Sequence, residues 1–148
     1  MLDLFVDTNI VLDHVGRREP FYQLSRKVLL LGVVGEARTF INTNMLADMI
    51  YLLRKDYGSA GAQRLVRENL SFLQVVGVSP DDASMALKAE WSDFEDCLVA
   101  RCAEKVQADF IVTRNVKDFS RSMVPAISPA DLFAELERRG ITYEEVGL

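Results

Sequence analysis

The stretch Leu2-Asp3-Leu4-Phe5-Val6 is an apolar run that stops at Asp7-Thr8-Asn9, after which apolar residues recur at wider spacing. That change of period predicts a buried strand that ends in a carboxylate and hands over to a helix. Four more stretches read as strands: residues 39–41, 72–76, 110–112 and the short 124–127. Helical patterns fill the intervals. Residues 21–34 carry Leu24, Val28, Leu30 and Leu31 at helical spacing. Residues 44–57 and 60–70 form two further helical stretches, separated at Gly58-Ser59, a natural break. Ser79-Pro80 places proline at the first helical position and starts a helix over 81–89. Ser92-Asp93-Phe94-Glu95 matches a capping box with Ser92 as the cap and opens a helix over 95–106. Ser128-Pro129 repeats the Ser-Pro start for 130–139, which Gly140 closes. The tail 141–148 reads as a last strand or a surface segment.

Strands alternating with helices imply an α/β fold of three layers, with a mostly parallel central sheet of about five strands covered on both faces. In such sheets ligands bind just beyond the carboxyl ends of the strands, and Asp7 occupies that position. The 148 residues suit one domain, and no repeat, low-complexity run or linker divides them.

Composition narrows the chemistry by exclusion. The single histidine, His14, leaves little room for histidine-based catalysis or a His-rich metal centre. Cys97 and Cys102, five apart on a predicted helix, read as buried small apolar residues and are too few for a zinc site. No GxGxxG or GxxxxGK[ST] loop is present, which disfavours NAD and NTP binding. A net charge of −5 argues against a bulk binder of long nucleic acid but leaves room for a local positive rim. No apolar stretch approaches the roughly 18 residues of a membrane span. The start reads as a strand, not as a secretory signal, so the expected location is the cytoplasm.

Carboxylates are what remain. Asp48 sits at the border of an apolar helix face made by Met45, Met49 and Leu52, with Tyr51 on the other side. The competing reading is a partly exposed acid paired with Arg54 or Lys55. Asp96 heads a stripe of Val99, Ala100 and Ala103, so it faces the packed side of its helix. Helix-dipole preference accounts well for Asp93 and Glu95 in the same first turn and less well for Asp96. At the end of the strand 110–112 stand Thr113, Arg114 and Asn115, with Asp118 three residues on. If Asp7, Asp48 and Asp96 converge, like charges crowd together until protons or a cation join them. Oxygen ligands without His or Cys select hard ions, Mg²⁺ or Mn²⁺. Such a site activates water for in-line attack on a phosphodiester or phosphate ester. Asn9 stands where covalent phosphoaspartate chemistry would need a second acid.

The strand ending in Asp7-Thr8-Asn9, the helix with Asp48, the stretch Asp93-Phe94-Glu95-Asp96-Cys97-Leu98 and the stretch Thr113-Arg114-Asn115-Val116-Lys117-Asp118-Phe119 together resemble the PIN-domain family. The motifs fall in the family's order across nearly the whole chain, and Val124-Pro125 with Ser128-Pro129 before the last helix resembles one PIN subgroup. The resemblance implies a PIN-like fold and an Mg²⁺- or Mn²⁺-dependent endoribonuclease, a VapC-type toxin of a type II toxin–antitoxin pair. It assigns catalysis to Asp7, Asp48 and Asp96, with Asp7 and Asp96 as metal ligands and metal-activated water as nucleophile, leaving a 5′-phosphate and a 3′-hydroxyl. Thr8, Asn9 and Thr113 would fix the carboxylates by hydrogen bonds, with Asp93 and Asn115 as further supporting positions. Arg114 and Lys117 would touch RNA phosphates, and Arg17 and Arg18 are weaker candidates for the same task. The implied partners are RNA, a small antitoxin and a second copy of the chain.

Two positions depart from the family pattern. The second acid, often Glu, is the shorter Asp48, and the fourth, often Asp, is Asn115. A second metal ion therefore loses a ligand. The readings left open are another metal-dependent nuclease of RNA or DNA, and a degenerate PIN domain that only binds.

Overall fold

The computed structural model describes residues 1–141. Its core is a five-stranded, wholly parallel sheet in the order β3-β2-β1-β4-β5. The strands are β1 (Leu2–Val6), β2 (Ala37–Asn42), β3 (Leu73–Val76), β4 (Phe110–Val112) and β5 (Ala126–Ile127). The helices are α1 (Thr8–Val15), α2 (Tyr22–Val33), α3 (Thr43–Asn69), α4 (Pro80–Ala89), α5 (Phe94–Lys105) and α6 (Pro129–Arg138), with a 3-10 turn at Val116–Phe119. All five expected strands are present. The tail expected as a strand or surface segment lies, apart from Ile141, outside the described residues.

The chain runs from β1 to β2 to β3 in one direction, then crosses back to β4 and β5 on the other side of β1. Right-handed crossovers in opposite directions place their helices on opposite faces of the sheet. Accordingly α1, α2 and α6 pack on one another, while α4 and α5 pack together with α5 against β2 and β4. This makes three layers. It also makes β1 central and buried on both sides, which is why Leu4, Phe5 and Val6 are all apolar and fully buried. Ile10 and Leu12 of α1 and Ile111 and Val112 of β4 join the same core.

The long α3 contains the break expected at Gly58. Gly58 has φ 70 and ψ 167, outside helical geometry, so two helical stretches meet there at a kink. Only glycine takes that left-handed φ without a steric penalty. Another glycine is required by proximity. A Cβ on Gly32 of α2 would lie 2.6 Å from Thr39 Oγ1, and that hydroxyl already donates to the Phe72 carbonyl.

One ion pair ties three segments together. Asp13 of α1 is fully buried and accepts from Arg114 Nε at 2.9 Å, Arg114 Nη2 at 3.2 Å and Ser25 Oγ at 3.0 Å. The same guanidinium lies 3.8 Å over the Phe21 ring. A second buried acid, Asp82, closes the capping box of α4 with Ser79 and pairs with Arg101 and Lys105 of α5. Burial works to raise its pKa, but the Lys105, Ser79 and Arg101 hydrogen bonds outweigh it and hold the carboxyl well below the usual range. No described helix is long and apolar enough to cross a membrane.

Two stability outcomes follow from this packing. Asp13→Ala strands the partly buried Arg114 without its bidentate partner and is expected to cost about 3 kcal/mol in denaturant titration. Gly32→Ala gains about 1 kcal/mol of helix propensity. It loses about 1–3 kcal/mol to overpacking against Thr39, so the expected sign is a net loss in the same titration.

Candidate active site

Pairing of β1 with β4 sets Val6 opposite Val112 and Leu4 opposite Phe110. The next residue on each strand, Asp7 and Thr113, therefore emerges at the same edge of the sheet. Thr113 Oγ1 donates to Asp7 Oδ2 at 2.8 Å, and the backbone N–H of Thr8 donates to Asp7 Oδ1 at 2.8 Å. Asp7 is thereby the N-cap of α1, so the helix starts one residue after the carboxylate. The two bonds orient the carboxylate and leave lone pairs on both oxygens for a further partner. Asp7 is only 6% exposed, and burial raises its pKa despite the Thr113 and Thr8 bonds that pull the other way.

This edge opens into a cleft of about 360 Å³. Its walls are the start of α1 (Asp7, Thr8, Asn9), the start of α3 (Asn42, Asn44, Met45, Asp48, Tyr51, Leu52), the start of α5 (Asp93, Glu95, Asp96, Val99) and the segment after β4 (Asn115, Asp118). Three helix N-termini thus face one cavity. Their partial positive charge is the main fixed counterweight to the carboxylates gathered there.

The three acids read as catalytic from the sequence all line this cleft. Asp96 stands in the first turn of α5, and its N–H is capped by Asp93 Oδ1 at 3.0 Å. The cap is therefore Asp93, not Ser92 as the capping-box pattern suggested, because Asp93 is the residue in extended conformation next to the first turn. Burial pushes the Asp96 carboxyl up, and the charges of Asp93, Asp7, Asp118 and Glu95 push it further, to about 7. Asp48, one turn into α3, lies near Glu95 of α5 in the same cleft wall. Burial comes first in raising the Glu95 pKa, followed by the charges of Asp48 and Asp93.

Of the supporting positions, Thr113 bonds Asp7 through its hydroxyl and Thr8 through its backbone, while Asn9 and the exposed Asn115 line the cleft. The Asn115 N–H donates to Thr113 Oγ1 at 3.0 Å, which steadies the hydroxyl that holds Asp7. The basic candidates lie elsewhere. Arg114, only 25% exposed, commits its fork to Asp13 and its face to Phe21, and does not line the cleft. Lys117 is on the exposed 3-10 turn outside the lining. The role expected of Arg114 at an RNA phosphate is thus replaced by a structural one, because a buried acid claims its guanidinium. Asp118, noted in the sequence three residues beyond Asn115, lines the cleft, and Glu95, Asn42 and Asn44 line it without having been singled out. Glu95 shares its sequence signal with ordinary helix-dipole acids, and only the approach of α3 to α5 distinguishes it.

Among the described residues, no three carboxylates close into a ready-made metal cage. A hard cation such as Mg²⁺ keeps several waters and takes one or two carboxylates from a protein. An all-oxygen wall of acids that raise one another's pKa is chemically suited to such an ion.

The raised pKa of Asp96 sets a pH dependence. The unfolded carboxyl loses its proton near 3.8 and the folded one near 7, so over that window the folded state holds more protons. Stability from this group falls as pH rises through the window. Asp96→Asn is expected to raise Tm by about 2–4 °C at about pH 8, a modest figure because the half-exposed carboxylate is screened by solvent. The gain should vanish near pH 4 in melts without divalent ions.

The architecture agrees with comparisons to known proteins. Residues 3–117 match the PIN-domain family model. VapBC from Salmonella typhimurium bound to DNA aligns at 21% identity and TM-score 0.65, over 87% of this chain and 99% of that one. VapBC2 from Rickettsia felis bound to a promoter fragment aligns at 20% identity and TM-score 0.64, over 86% and 98%. VapC20 of Mycobacterium tuberculosis, a toxin that cleaves the sarcin–ricin loop, aligns at 15% identity and TM-score 0.60, over 73% and 86%. No curated protein matches the sequence. With the family model spanning most of the chain and the carboxylate cleft at the switch point of a parallel sheet, this chain belongs to the PIN-domain family.

Proposed function

We propose that this chain is an endoribonuclease dependent on Mg²⁺ or Mn²⁺ and the toxin of a type II toxin–antitoxin pair. The observation that carries the reading is the cleft at the carboxyl edge of β1 and β4, where Asp7, Asp48 and Asp96 meet with Glu95 and Asp118 beside them. Structures of VapBC pairs, and of a VapC that cleaves the sarcin–ricin loop, share the fold and support the toxin part of the reading.

Asp7 and Asp96 would hold the divalent ion. When bound, the ion neutralises the crowded carboxylates, lowers the pKa of water and stabilises charge on phosphorus. Thr113 and the Thr8 N–H keep the Asp7 carboxylate at a fixed angle, so no side-chain freedom is lost when the ion arrives. Asp48 and Glu95, near each other in the cleft wall, would take the proton released by the attacking water and return it to the leaving 3′ oxygen. The first-turn N–H groups at the cleft accept the developing negative charge on the phosphate. Asn115 removes one charge from the family's acid set, and Glu95 and Asp118 supply carboxylates to the same cavity. In the paired state a basic side chain of the antitoxin would neutralise these acids as the ion does.

RNA incubated with Mg²⁺ or Mn²⁺ should be cut to products with 5′-phosphates, and chelation should stop the reaction. Asp7→Asn and Asp96→Asn are expected to slow it by about 100-fold or more, beyond the 10–100-fold typical of groups that only support a metal site. Undiminished cleavage by both variants would overturn the assignment, and equal cleavage of a matched DNA strand would remove the preference for RNA.

A further inference from the structure

The cleft wall poses a binding problem. Among the described residues it carries six carboxylates and no lysine or arginine, on a chain of net charge −5. Affinity for nucleic acid that came from phosphate contacts alone would need cations, and each contact would appear in the salt dependence. Arg114, the nearest basic candidate by sequence, is held by Asp13. With no lysine or arginine in the wall, contacts beyond side-chain pairing to phosphate have a larger share in holding a polynucleotide there.

The wall contains one aromatic ring. Tyr51 lies on α3 one turn beyond Asp48, lines the cleft and is 61% exposed. Arg54 sits over the ring at 4.3 Å from its centroid, which braces one face and brings a positive charge to it. Leu52 beside it also lines the cleft and is 48% exposed. A large ring left this open at the mouth of an acidic cavity is what an unpaired base needs, because every base has a π-face and stacking works without charge neutralisation.

Resting on the ribonuclease reading, we propose that Tyr51 is a specificity-determining residue that stacks an unpaired nucleobase of the substrate beside the scissile phosphate. Arg54 supports the ring from its other side. The substrate is therefore a single-stranded or looped stretch, since a base within a duplex has no face to offer. Binding through stacking also explains how an acidic protein holds RNA with few phosphate contacts.

The full chain, its Tyr51→Ala, Tyr51→Phe and Tyr51→Trp variants are titrated with a short single-stranded RNA and with the same strand paired to its complement. The titration is repeated across salt concentrations, and cleavage is followed with Mg²⁺. The proposal expects tight binding of the single strand with a shallow salt slope, and a loss of roughly 10-fold or more for Tyr51→Ala. The loss should fall on KM and leave kcat in place. Phe and Trp should restore binding, and the Trp variant should gain fluorescence that the RNA quenches. RNA binding and KM unchanged in Tyr51→Ala would overturn the proposal, as would a Tyr51→Ala variant whose only change is loss of a dimer in sedimentation, which would assign the ring to a second copy. Cleavage by the wild type with no effect of Tyr51→Ala sinks the stacking role and leaves the nuclease reading standing. Tyr51-dependent RNA binding without cleavage does the reverse.

Discussion

The parallel pairing of β1 with β4 is the constraint from which the site follows. Because Val6 and Val112 are in register, the strands end together, and Asp7 and Thr113 leave the sheet side by side. Their 2.8 Å hydrogen bond is a direct product of that register. A slip of β4 by one residue would turn Thr113 to the opposite face of the sheet and take its hydroxyl away from Asp7. Burial of Leu4, Phe5, Val6, Ile111 and Val112 on both sides makes such a slip costly, so the apolar core secures the polar edge.

That edge concentrates like charge, and the fold answers it in two ways. The starts of α1, α3 and α5 bring helix dipoles of favourable sign to the cavity. Protons supply the rest: burial and crowding push the Asp96 carboxyl up to about 7 and raise that of Glu95 beside Asp48. Both answers are incomplete, and a hard divalent ion would complete them. A cavity poised in this way stores electrostatic free energy that ligand binding releases, the usual arrangement where function is bought at the expense of stability.

The foremost basic candidate of the sequence, Arg114, is spent on structure, and so are two cations of α5. Asp13 takes Arg114, and Asp82 takes Arg101 and Lys105. These buried acids hold α1 to the segment after β4 and α4 to α5, which are the joints that set the walls of the cleft. The consequence is a cavity whose described lining carries six carboxylates, one aromatic ring and no lysine or arginine.

By itself the sequence determined the alternation of strands and helices, the break at Gly58 and the placing of Asp7 at a strand end, because each rests on local period, capping or backbone freedom. It also carried the three acids, since each stands at the start of an element or on the border of a packed face. Only the tertiary structure decided which neighbours those acids have. Glu95 meets Asp48 because α3 and α5 converge, and no spacing within either helix contains that fact. Arg114 is lost to Asp13 across 101 positions of chain. Tyr51 is one apolar residue among many in the sequence, and becomes the open ring of an acidic cleft only when Asp7, Asp48 and Asp96 arrive beside it. Local patterns are legible because their causes lie within a few residues, whereas long-range partners are chosen by the packing of whole elements.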